Sequence, residues 1–145
     1  MEQFWARFWT LSSWSLEALI IPPIFILLIV FGSGLIIAIL KQKPTQTQTW
    51  RNHYWLVLTQ LFFFPAILSV GVLFPASGPG PYVKPNSVGS LLLDILFYSS
   101  LAVGAFWIWR MKNLRWLAAS IVLLQELFVY CALFIAVMSV SGQWL

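Results

Sequence analysis

Histidine and cysteine each occur once in this chain, as His53 and Cys131. One cysteine excludes an intramolecular disulfide and any Cys-based metal cluster built by a single copy. One histidine likewise excludes a bis-histidine haem or a multi-His metal site within one chain. Charge is sparse: 8% of residues are Asp, Glu, Lys or Arg, where a soluble domain carries roughly a quarter. The eight Lys and Arg residues that give the net charge of +4 are scattered in short connections. They form no basic stripe that could follow a phosphate backbone, so no nucleic-acid partner is expected. No internal repeat aligns, which weakens an inverted-repeat transporter.

Apolar residues fill the place of charge. The chain is 61% hydrophobic with a mean hydropathy of +0.89, so a water-soluble fold of 145 residues would have little surface to show to water. An all-α integral membrane protein is expected. Four continuous apolar runs, Leu16–Leu40, His53–Phe74, Val88–Trp109 and Leu114–Val140, have about 22 to 27 residues each, and about 20 cross ~30 Å of hydrocarbon as a helix. The reading is one domain, 1–145, of four antiparallel transmembrane helices spanning about 16–40, 53–74, 88–109 and 114–140. The first run lacks the cleavage site of a signal peptide and is longer than one.

Orientation follows from the basic residues. Lys41, Lys43 and Arg51 lie in the first connection and Arg110, Lys112 and Arg115 in the third. The Pro/Gly-rich second connection holds only Lys84, and Arg7 precedes the first run. The positive-inside rule then puts connections one and three in the cytoplasm, with both termini on the other side. Trp50, Trp55, Trp107, Trp109 and Trp116 fall at the inner ends of the runs, and Trp5, Trp9, Trp14 and Trp144 near the outer ends. That is the pattern of two interfacial aromatic belts. In residues 1–14, Phe4, Trp5, Phe8 and Trp9 recur at helical spacing, which predicts a helix lying in the outer interface. An extension of the first span is the competing reading.

Two acids fall inside the runs. Glu126 is twelve residues into the last one, about 18 Å deep, and Asp94 is about 9 Å into the third. Antiparallel packing places the two within about a helix turn in depth. Two ionised carboxylates at close range repel, so at least one is expected to be neutral and hydrogen-bonded to Gln125, Gln60, Tyr98 or Tyr130. Such residues mark either a proton or cation relay or a neutral acid gluing helices together. Gln125 also belongs to a stripe at sevens, Ala118, Gln125, Ala132 and Ser139, which suits close helix packing, as does Gly34-x-x-x-Ala38. Pro22-Pro23 and Pro65 are expected to kink the first two helices. His53, at an interface beside Arg51, is a weak axial ligand for a haem or chlorophyll. No hydrolase constellation can be assembled, because His53 and Asp94 belong to opposite faces.

These residues suggest a non-catalytic accessory or structural subunit of a larger membrane complex of respiratory or photosynthetic type. The alternative is a homo-oligomeric channel or a proton-coupled small transporter using Glu126 and Asp94. The expected partners are membrane lipids with either other membrane subunits or further copies. No cofactor is required, although lipid or pigment contacts suit the aromatic surface. A plasma or inner membrane is the favoured location, with an organellar or thylakoid membrane as the other setting.

Overall fold

The computed structural model of the chain describes residues 1–40, 59–77 and 84–142, the Asn113 side chain aside. His53, Trp50, Trp55 and Trp144 lie outside the described residues. Among these residues five helices form: α1 (Glu2–Ala18), α2 (Pro22–Leu40), α3 (Phe63–Leu73), α4 (Ser87–Arg110) and α5 (Arg115–Ser141). A 3-10 turn, Thr59–Phe62, leads into α3, and another, Lys112–Leu114, joins α4 to α5. The described residues contain no strand, only an antiparallel bridge between Ser77 and Lys84.

Three helices, α2, α4 and α5, are long and apolar enough to cross a membrane, with hydropathies of 2.8, 1.9 and 2.3. The fourth apolar segment, Thr59–Leu73, is shorter. Its 4-residue turn and 11-residue helix rise roughly 24 Å together, short of ~30 Å. The start of the expected 53–74 span lies outside the described residues.

The first apolar run is divided, contrary to expectation. α1 continues to Ala18, the chain turns over Leu19–Ile21, and α2 begins at Pro22. Proline has no N–H to donate, disfavours helical geometry in the residue before it, and fits the first turn of a helix, where donors have no partner anyway. Pro22-Pro23 therefore opens a helix rather than kinking one. Pro65 behaves alike, sitting in the first turn of α3 behind the 3-10 turn.

All four other helices pack on α5. Its small residues explain how. Ala118, Ala132 and Ala136 are fully buried, and Gly71 of α3 approaches Ala136 so closely that an added Cβ would lie 3.0 Å from the Ala136 Cα. Ser139 Oγ donates to the Gly71 carbonyl at 2.8 Å across the same contact. The small-residue stripe thus serves packing, with Leu11 of α1, Ile67 and Leu68 of α3 and Leu93 of α4 closing the core around it.

α2 contrasts with this core. It has no buried residue and only one half-buried stripe, Ile24, Leu28, Phe31, Leu35 and Ala38, spaced alternately by four and three. Ile26, Ile29, Val30, Ile36 and Ile37 are all more than half exposed. A helix that is apolar all round and uncovered suits hydrocarbon, not water.

The two ends of the bundle are tied differently. The turn between α4 and α5 is anchored by buried Met111 and Leu114, which pack on Ala118 and Val122, while Arg110, Lys112 and Arg115 stay exposed. At the other end, the connection between α3 and α4 is stapled to the end of α5. Ala76 N–H donates to the Ser139 carbonyl at 2.9 Å, and Asn86 N–H to the Val140 carbonyl at 3.0 Å. These are carbonyls that a helix terminus leaves without an intrahelical partner. Asn86 in turn caps α4, its side chain accepting from Gly89 N–H at 3.1 Å.

Candidate functional site

The polar centre of the bundle is built by three elements. Glu126 lies on α5, Ser100 on α4 and Gln60 in the 3-10 turn before α3. Gln60 Nε2 donates to Glu126 Oε1 and to the Ser100 carbonyl at 3.3 Å. Ser100 Oγ lies 3.1 Å from Glu126 Oε2 and 2.8 Å from the Phe97 carbonyl. Gln60 and Ser100 are wholly buried, whereas Glu126 is half-buried.

Gly104, one turn along α4 from Ser100, makes the room. A Cβ there would come within 2.7 Å of Val122 Cγ1 and 2.9 Å of Gln60 Nε2. Only glycine lets the Gln60 amide pass between α4 and α5 to the carboxyl.

A serine hydroxyl has one proton, and Ser100 Oγ faces two acceptors if Glu126 is ionised. If Glu126 carries its proton on Oε2, it donates to Ser100 Oγ, which is then free to donate to the Phe97 carbonyl. Glu126 Oε1 still accepts from Gln60. The Phe97 carbonyl already sits inside the backbone ladder of α4, so both protonation states keep these contacts paired, and in either the arrangement acts as an interhelical clasp.

Gln60 is thus the expected partner of Glu126, while Ser100 and Gly104 are partners the sequence reading omitted. A signal was available: Ser100-x-x-x-Gly104 is a small-residue pair at helical spacing inside an apolar run. Gln125, Tyr98 and Tyr130 do not join. Tyr98 and Tyr130 are exposed. Gln125 precedes Glu126 by about 100° of helical rotation and faces α1 and the start of α3 instead, beside Leu16, Leu61 and Phe64.

Asp94 also stands apart. Glu126 meets α4 at Ser100, six residues beyond Asp94, or about 9 Å along the axis. That exceeds the expected single turn, because the Gly104–Val122 contact sets the register of the two helices. Asp94 is exposed, between exposed Leu91, Ile95 and Tyr98, with no hydrogen bond or ion pair to any described residue. Among the described residues no group of three or more His, Cys, Asp or Glu side chains could hold a metal ion, and Cys131 is buried and free.

Among the described residues the fold and this centre define a class: an all-helical bundle in which three helices are fit to cross a membrane and a carboxyl clasp joins α4, α5 and the turn before α3. Comparison with protein-family models, curated proteins and solved structures yields no match.

Proposed function

We propose that the chain is a small multi-pass membrane protein that acts as a non-catalytic accessory subunit of a larger membrane assembly of respiratory or photosynthetic type. The observation that carries this reading is Asp94. It stands about 10 Å into α4, on a face of exposed Leu91, Ile95 and Tyr98, without a partner among the described residues. A carboxyl facing hydrocarbon costs a few kcal/mol on insertion scales, and its one-carbon stem is too short to reach the interface as lysine does. A donor from a neighbouring subunit relieves that cost. The Glu126 clasp supports the same reading, because its carboxyl is engaged in holding helices together.

Mild detergent extraction and native-gel migration, with mass spectrometry of co-migrating chains, test the proposal. The wild type is expected in a complex with other membrane chains, and Asp94→Leu is expected to leave it. A discrete homo-oligomer would instead favour the second reading, a channel or proton-coupled carrier. That reading draws on Glu126 being only half-buried and hence open to proton exchange.

A further inference from the structure

A groove of about 560 Å³ lies at the end of the bundle opposite the basic turn, between α1, the end of α3 and the end of α5. Its base is buried Leu11, Gly71 and Val72, and its rim carries exposed Arg7, Thr10 and Trp14. Arg7, Thr10, Leu11 and Trp14 follow the i, i+3, i+4, i+7 spacing that sets residues on one face of a helix. The direction of that face is fixed by its neighbours. Leu11 packs at Gly71, while Leu16 shares a wall with Gln125 and Leu61 in mid-bundle, so α1 runs inward from Arg7. Trp14 therefore stands about 10 Å further along α1 toward the bundle centre. The hydroxyls in the walls are engaged: Thr10 Oγ1 donates to the Ala6 carbonyl at 2.9 Å, and Ser139 Oγ to the Gly71 carbonyl at 2.8 Å. The Arg7 guanidinium has no ion pair or hydrogen bond to any described residue. Glu2 is five residues away and about 140° around the helix, outside pairing spacing.

We propose that the groove binds an anionic phospholipid, with the headgroup phosphate on Arg7 and the first part of an acyl chain along Leu11, Trp14 and Val72. A guanidinium is a planar fork that meets a phosphate with two parallel hydrogen bonds. The volume falls in the range of small-ligand pockets, about 300–1,000 Å³. A free phosphate would engage Arg7 and leave the apolar walls unused. A carboxylate from a partner subunit would likewise meet only the cation. A lipid matches the whole groove, charge at the rim and hydrocarbon toward the bundle centre. Trp14 is the residue type enriched at the boundary between the two. The proposal rests on the bundle lying in a membrane and not on the accessory role.

The purified chain is reconstituted in phosphatidylcholine vesicles doped with phosphatidylglycerol or phosphatidylcholine bearing a diazirine in one acyl chain. After irradiation, crosslinks are mapped by mass spectrometry. Peptides holding Trp14 and Val72 are expected to take about fivefold more label from the anionic lipid, the gain that one arginine near a membrane surface gives. Arg7→Gln is expected to remove the preference and leave the phosphatidylcholine label unchanged. Adding Trp9→Arg to that variant returns the charge about 200° around α1, and is expected not to restore the preference. Both positions are exposed, so neither change reaches the core. Inorganic phosphate, compared with chloride at equal ionic strength, is expected to have no further effect. Equal labelling by the two lipids in the wild type overturns the site, as does a preference that survives Arg7→Gln or returns with Trp9→Arg. Competition by inorganic phosphate beyond that of chloride would assign Arg7 to a free anion and overturn the lipid. Protein stripped from the vesicles by alkaline carbonate would overturn the membrane placement, whereas inserted protein without the preference overturns the groove alone.

Discussion

Glu126 can be changed in two ways that separate its proton from its hydrogen bonds. In Glu126→Gln the new amide donates to Ser100 Oγ and accepts from Gln60, so the clasp of three elements is kept while the ionisable proton is lost. Thermal stability in detergent is expected to stay near that of the wild type, and assembly to survive. Glu126→Leu leaves the Gln60 amide and the Ser100 hydroxyl without their shared partner inside the bundle. A loss of about 1–3 kcal/mol is expected, read as a lower unfolding midpoint. A Gln variant that stays assembled yet loses pH-dependent transport in reconstituted vesicles would move the centre from clasp to relay. The acid and Gln60 were legible in the sequence because a polar residue inside an apolar run is costly and therefore conspicuous. Which partners meet was not, since rotation about each helix depends on the register that Gly104 and Val122 set across two elements. Asp94 and Gln125 show the same limit. Their depth could be read from the chain, but the faces they occupy could not.

Between helices, the approach of α3 to α5 rests on the absence of side chain at Gly71. A Cβ there already meets the Ala136 backbone at 3.0 Å and Leu11 Cδ1 at 3.4 Å, so Gly71→Val must push α3 away from both α1 and α5. Overpacking of this kind costs about 1–3 kcal/mol. The variant is expected to unfold at correspondingly lower denaturant in a mixed-micelle titration, and unchanged stability would show that the contact is slack. The apolar runs predicted α4 and α5 to within a few residues because continuous hydrophobicity is a direct record of length. The first run misled at its start. Hydropathy does not register a turn made of Leu19, Ile20 and Ile21, and only the backbone chemistry of Pro22-Pro23 reveals it.

For the molecule as a whole, the charge pattern and the exposed apolar girdle make a joint prediction about sidedness. Lys112 lies in the basic turn, Ser77 at the base of the opposite connection, and both are exposed. A cysteine placed at Lys112 is expected to be shielded from a membrane-impermeant maleimide in intact cells, while one at Ser77 reacts. Buried Cys131 contributes little background. The reverse pattern would invert the orientation, and equal labelling of both would mean that α4 does not cross.

The packing of every other helix on α5 also has a consequence in time. α5 follows all of them along the chain, so a ribosome releases α1 through α4 before the helix that organises them exists. α2, which rests mainly on α5, has no lasting neighbour until then, and the staple from Ala76 and Asn86 must wait for the Ser139 and Val140 carbonyls. α3 can meet α1 and α4 as they emerge, but the bundle is completed only when α5 arrives. Until that moment the unfinished chain depends on lipid or on an insertion partner to keep its polar centre covered.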